Sequence, residues 1–327
     1  MSEHVLLAQR ESHQHSSGPE TSEGRRDVDG ELLCAESTSR VFKVVKNIWE
    51  IAVTLFLFTK SDFKTTVFPA TLMAAACAPL QTPSHLLHAF FWVWLHILQF
   101  CVSNQSVNPL EDKVNKQDRP LAANRISLEH ALVLRWSLVP ICWLWSLCYG
   151  TQVLYASVWL SALTLLHNEF SASQHWVGKN GIVALGATAF ELGAILVIGD
   201  DRTSLSQIAE LSLFCSFGIF SSTIYAQDFK DVKGDAQVER KTVPILYPSL
   251  AAPALALSLV GWSVFLISLW QVGVVTATVF GATALLTALS YMWSSSVVGF
   301  QRSYYLYNVW MTFAHCLPLF RGIDPHY

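Results

Sequence analysis

Residues 246–269 read LYPSLAAPALALSLVGWSVFLISL, twenty-four positions without an acidic or basic side chain. A bilayer's hydrocarbon core is crossed by roughly 20 apolar residues in a helix. The stretch therefore reads as a transmembrane helix. Working outward from it, similar segments occur at 63–80, 85–106, 128–147, 150–168, 180–199, 205–226, 272–298 and 303–321. Nine spans predict an all-α, polytopic membrane protein. The composition agrees, with 52% hydrophobic and 14% charged residues, where a soluble domain carries nearer a quarter charged. Residues 1–43 are polar, with mixed charges and many Ser and Gly, and read as a disordered tail. The remainder, 44–327, reads as one membrane domain. It opens with Val44–Phe58, an expected surface helix that sets Lys46 and Glu50, with the neighbouring Lys43, against Ile48, Trp49, Leu55 and Phe56.

Charge placement orients the spans. The 21 Lys and Arg residues fall almost entirely in the tail and in the 106–128, 168–180, 226–246 and 298–303 loops. On the other side only Arg202 and Arg321 are placed. By the positive-inside rule the tail and these four loops face the cytoplasm, and the expected location is the endoplasmic reticulum membrane. The first long apolar run lies too deep for a cleavable secretory signal. A net charge of -3 points away from a nucleic-acid partner. The seven cysteines form no CxxC pair and read as small buried hydrophobes.

The 106–128 and 226–246 loops are longest and hold most of the carboxylates. The first polar run is Asn104-Gln-Ser-Val-Asn108-Pro-Leu-Glu-Asp112-Lys-Val-Asn-Lys116-Gln-Asp118-Arg119-Pro120. Its steps of four put Asn104, Asn108 and Asp112 on one helical face. The second run is Asp228-Phe-Lys230-Asp231-Val-Lys-Gly-Asp235, continuing to Lys241-Thr-Val-Pro244. Asp231 and Asp235 again share a face. Each run follows an even-numbered span, so the two meet at the same membrane surface.

Paired acidic faces among cations suit one kind of chemistry. A diphosphate leaves readily only when its charge is neutralised. Mg2+ takes hard oxygen ligands, usually one or two carboxylates per ion, with phosphate oxygens and water completing the shell. Lys and Arg nearby add to the stabilisation of a leaving anion. The competing reading is of two ordinary solvated loops.

The two runs resemble the paired aspartate-rich motifs of the UbiA superfamily of intramembrane prenyltransferases. Thr59-Lys-Ser-Asp62-Phe-Lys64-Thr-Thr-Val-Phe-Pro69, and Asn104-Gln105 with Glu111-Asp112, are similar to its fungal branch, which includes membrane-bound terpene cyclases. The resemblance covers roughly residues 45–321. It implies a nine-helix bundle around a central cavity, with a metal–diphosphate site beneath a cytoplasmic cap. Carried onto this chain, it implies Asn104, Asn108, Asp112, Asp231 and Asp235 as catalytic residues. Mg2+ falls to Asn108, Asp112, Asp228, Asp231 and Asp235, and diphosphate to Lys64, Lys116, Arg119, Lys179, Lys230 and Lys241. The family pattern usually has Asp where Asn108 stands, so charge in the first motif rests on Asp112, helped by Glu111. Pro109 removes a helical hydrogen bond beside it.

Some residues keep two readings. Lys64 reaches the diphosphate or snorkels at the interface. Lys179 contacts phosphate or is a plain loop charge. Glu191, inside an apolar span, lines the cavity or packs against a hydroxyl. Tyr225, one turn before Asp228, is the aromatic most expected at the cavity. Asp200-Asp201 reads as a solvated turn on the opposite side. The expected activity is a Mg2+-dependent terpene cyclase, in secondary-metabolite biosynthesis, acting on geranylgeranyl or farnesyl diphosphate. Prenyl transfer to an aromatic acceptor is the alternative, and a lipid carrier without catalysis is a third reading.

Overall fold

Helices begin where the sequence supplies caps and end where it supplies turns. In the computed structural model, which describes residues 22–78, 82–107, 109, 112, 116–170 and 174–322, Ser127, Ser206 and Ser296 each accept a hydrogen bond from a backbone N–H two or three residues on. These hydroxyls satisfy donors that have no partner within the helix. Gly150 at φ +125° and Gln271 at φ +49° make the tight reversals of two helical hairpins.

Contacts divide the chain into two units, residues 1–53 and 54–327. Most of the first is the start of helix α1, Ser22–Thr59. This helix begins inside the stretch 1–43 expected to be disordered, and it is longer than the expected 44–58 surface helix. Val41, Phe42, Val44, Val45, Ile48 and Trp49 are all exposed on it.

In the second unit a π-helical turn, Phe63–Val67, leads into α2, Phe68–Cys77. There follow α3 (Pro83–Val107), α4 (Leu128–Leu147), α5 (Thr151–Asn168), α6 (Trp176–Ile198) and α7 (Gln207–Thr223). A 3-10 segment, Ile224–Lys230, runs into the short helices α8 (Val232–Gln237) and α9 (Val243–Leu246). The chain closes with α10 (Pro248–Trp270), α11 (Val274–Trp293) and α12 (Val297–Cys316). The described residues contain no strand, only the isolated bridges His175–Lys241 and Val272–Arg321.

Every apolar segment expected from sequence coincides with a helix. Among the described residues six helices are long and apolar enough to cross a membrane: α3, α4, α6, α7 with its 3-10 extension, α10 and α11. The other three fall short for visible reasons. α2 has ten residues, α5 is interrupted by hydroxyls, and α12 carries Arg302, Ser303, Asn308 and three tyrosines.

Consecutive helices pack as antiparallel neighbours, and α3 and α2 both pack against α6. One apolar cluster joins α2 to α6, and a second joins α7, α10, α11 and α12. Within lipid the hydrophobic effect does not hold helices together, so close packing and hydrogen bonds matter more. Here indole and imidazole groups reach serines across helices. Trp92 Nε1 donates to Ser146 Oγ at 2.9 Å, Trp310 Nε1 to Ser263 Oγ at 2.8 Å, and His96 Nε2 lies 2.7 Å from Ser157 Oγ. Gly193 of α6 faces Trp92 of α3 so closely that an added Cβ would lie 2.0 Å from the indole. Outward-facing Leu257, Val274 and Trp293 are more than 70% exposed, as a lipid-facing surface requires.

Candidate active site

The polar ends of α3, α5, α6 and the α7 extension meet at one end of the bundle. Asn104 Nδ2 donates to Asn168 Oδ1 at 3.0 Å, and Asn168 Nδ2 to Ser103 Oγ at 2.9 Å. This ties α3 to α5. Lys179, in the first turn of α6, donates to Asp228 Oδ1 at 2.6 Å and lies 3.9 Å from Asp235 Oδ2. Arg240 Nη1 donates to Asp235 Oδ1 at 2.7 Å. Backbone bonds brace the same region: Lys241 N donates to Gln174 O at 2.8 Å and Trp176 N to Lys241 O at 2.9 Å.

The 3-10 winding of Ile224–Lys230 aims the second acidic stretch. Asp228 and Asp235 are buried, and Asp231 is half-exposed and paired with Lys230. Asp235 N donates to Asp231 O at 2.8 Å, so the two stand one helical turn apart as their spacing predicts. Lys230 also lies 5.3 Å from the centre of the Tyr304 ring.

In the first stretch, Asp112 receives Arg119 Nη1 on both oxygens, at 2.7 and 2.8 Å. Burial works against the Arg119 charge, yet Asp112 holds the guanidinium above its ordinary pKa. The Lys116 side chain keeps solvent contact. Desolvation first, and Arg119 second, push its ammonium below its ordinary value, while Asp231 and Asp112 pull the other way. Lys116 thus feels one carboxylate from each acidic stretch.

Other sequence-derived candidates lie elsewhere. Asn108 and Glu111 fall outside the described residues. Lys64 is exposed, with its Nζ 4.2 Å from the centre of the Tyr305 ring, and it makes no contact with the carboxylates. Lys241 contributes its backbone, and its side chain is exposed. Tyr225 is buried and donates to Ala251 O at 3.2 Å. Glu191 is buried, 3.4 Å from His315 Nε2. Asp201 sits in a turn where Thr203 and Ser204 hold its carboxyl down to about 2. Arg240 and Asn168 are site residues that sequence reasoning gave no role. Arg240 lies five residues beyond Asp235, a spacing with no helical signature.

A metal can be tested against these groups. Asp228 Oδ2 and Asp235 Oδ2 are buried without a hydrogen-bond partner. A buried carboxylate oxygen with free lone pairs is a costly group unless something binds it, and hard oxygen donors suit Mg2+. Among the described residues no group of three or more His, Cys, Asp and Glu side chains is arranged to hold an ion. The donor set fits a cation shared with phosphate better than one enclosed by protein.

The model of the UbiA prenyltransferase family matches residues 66–312. The chain belongs to this family. It is 29% identical over 268 residues to the fumagillin beta-trans-bergamotene synthase of Aspergillus fumigatus, covering 82% of this chain and 92% of that one. It is 31% identical over 216 residues to the somaliensene A/B synthase of Streptomyces somaliensis, covering 62% and 68%. Among solved structures, a UbiA homologue from Archaeoglobus fulgidus bound to GPP and Mg2+ matches with a TM-score of 0.59 at 11% identity, covering 81% of this chain and 98% of that one. The protein is thus an integral membrane enzyme of UbiA type, and its all-helical architecture is that of the family.

Proposed function

We propose that this enzyme ionises an isoprenoid diphosphate at the acidic mouth and cyclises the resulting carbocation. The single observation that carries the chemistry is the pair of buried oxygens on Asp228 and Asp235 that accept no hydrogen bond, beside Lys179 and within electrostatic reach of Asp112 through Lys116. The relatives named as terpene synthases, one of them fungal, favour cyclisation over prenyl transfer. The Mg2+ and GPP of the Archaeoglobus homologue support the metal and the substrate class. On this reading α2, α5 and α12 complete nine spans around a central cavity. The helical bundle from residue 44 onward forms the catalytic domain, and the mouth faces the cytoplasm at the endoplasmic reticulum.

Asp112, Asp228, Asp231 and Asp235 would hold Mg2+, with Asn108 as a neutral oxygen donor. Bound there, the metal would supply charge neutralisation to the departing diphosphate. Lys116, Arg119, Lys179 and Lys230 add positive charge and orient the diphosphate oxygens. Their effect is largest on the anion that develops as the C–O bond breaks. Lys179 sits between two carboxylates, so it is placed to exchange a carboxylate partner for a phosphate oxygen. Asn104 braces the α3 end through Asn168. Tyr225 and Tyr304 offer π faces to the allylic cation, which aromatic rings attract electrostatically. The apolar interior below excludes the water that would quench it.

The test is incubation of membranes holding the full chain with farnesyl or geranylgeranyl diphosphate and Mg2+, without an acceptor. A cyclic hydrocarbon in the organic extract is the expected result, with the C20 substrate favoured. A product that forms only once an aromatic acceptor is added would overturn cyclisation in favour of transfer. Absence of Mg2+-dependent diphosphate release would overturn both.

A further inference from the structure

A second polar site lies within the bundle, on helices that also run to the acidic mouth. Glu191 of α6 and His315 of α12 are 2% and 4% exposed. His315 Nε2 lies 3.4 Å from Glu191 Oε1 and 3.4 Å from Ser216 Oγ of α7. Glu191 Oε2 and His315 Nδ1 are both buried without a partner. Intramembrane ionisable groups are costly, and they are kept chiefly where they pair or work. In this pair one side of each group has a polar neighbour, and the other is left open. His315 borders a small cavity whose walls mix apolar side chains, among them Ile219, Leu266 and Trp270, with the hydroxyls of Ser212 and Ser216, and no acid or Lys is among its lining residues.

The helix α12 links this site to the mouth. Tyr304, Tyr307, Met311 and His315 recur at steps of three and four, so they share one helical face. All four are buried. Tyr304 stands beside Lys230 at the mouth, and its ring is stacked 6.0 Å from Tyr307. Eleven residues of helix separate Tyr304 from His315, about 16 Å at a rise of about 1.5 Å per residue. That is the scale of an extended isoprenoid chain anchored at the mouth by its diphosphate.

We infer that the Glu191–His315 pair is the proton acceptor that ends the cation cascade. This rests on the proposed cyclase reading. In this step a C–H bond beside the cationic carbon breaks, and its electron pair becomes the π bond of the olefin. The proton goes to Nδ1 of neutral His315. Glu191, on the Nε2 side, balances the positive ring, and Ser216 fixes its orientation. The proton then passes to solvent, so that one diphosphate ester gives one hydrocarbon, one diphosphate and one proton. No oxidant or further reactant is needed. General bases of this kind contribute on the order of 10²-fold or more.

The experiment compares wild type, Glu191→Gln and His315→Gln in membranes supplied with Mg2+ and each diphosphate, measuring olefin formed per diphosphate released. In both variants the ratio is expected to fall about tenfold or more, with alcohols from water capture or earlier-terminated olefins replacing the wild-type product. Ser212→Ala, another change at the wall of the same cavity, controls for general disturbance and should leave the ratio unchanged. An unaltered ratio and product profile in the Gln variants would overturn the inference. If one variant fails to reach the membrane, the other decides. Failure of wild type to release diphosphate would instead sink the cyclase reading itself.

Discussion

The two acidic stretches are fixed in different ways. Asp112, Asp228 and Asp235 are all buried, but Asp228 is held from another helix, by Lys179 of α6, whereas Asp235 is held by Arg240, five residues along its own stretch, with Lys179 3.9 Å away. Asp112 is held by Arg119, seven residues along its own loop. A carboxylate braced by another helix is positioned by the fold, whereas one braced within its loop moves with that loop. On this contrast the Asp228 side is expected to be the more rigid half of the site and the Asp112 side the more adjustable.

The largest expected effect comes from breaking the rigid half. Asp228→Ala takes from Lys179 its nearer carboxylate and leaves only Asp235, 3.9 Å away, a change expected to cost up to about 3 kcal/mol, and it removes one of the two open oxygens. Diphosphate release should fall about 10³-fold, and the melting temperature in detergent should drop with it. Asp112→Ala should cost about 10²-fold in release with a smaller loss of thermal stability. Equal stability losses would show that the first stretch is as rigid as the second and sink the contrast.

Restoring charge to the adjustable half sharpens the comparison. Asn108→Asp adds an anionic ligand where this chain has a neutral one. The Mg2+ concentration for half-maximal release should fall about threefold or more, and an unchanged value would remove Asn108 from the metal site. The smallest effect belongs to Asp118, exposed and hydrogen-bonded to Lys60 at 3.1 Å. That bond holds its carboxyl below the usual range, so any stability it adds is present at neutral pH and lost as pH falls through the depressed value. Solvent screens such pairs. Asp118→Asn should change release by about twofold at most and leave the melting temperature at acid pH untouched.

Much of this was legible in the sequence because bilayers impose a coarse rule. Long, mostly apolar runs gave each helix from 85 onward, with bounds that match at 128–147 and miss by up to six residues at 303–321. The i, i+4 acidic spacing pointed to Asp231 and Asp235, whose backbones are one turn apart. What the sequence left hidden depends on distant partners. Nothing near Asp228 marks Lys179, 49 positions away, as its counterion, and nothing near Glu191 marks His315, more than a hundred positions away. Lys64 shows the same dependence on distant partners. A lysine beside a motif-like stretch reads as a phosphate ligand, but its local geometry turns it onto Tyr305. The start of α1 at Ser22 was equally hidden, because mixed charge with Ser and Gly has the composition of a disordered segment.

The indole of Trp92 fills the space where a side chain at 193 would stand. Even a methyl group there must wedge α3 away from α6. Those helices carry Asn104 and Lys179 at their other ends, so a lever pivoting on that contact would splay the catalytic mouth from deep within the bilayer. Glycine at this position acts as a spacer gauge. It sets, at a distance, how far apart the charges that grip the substrate can stand.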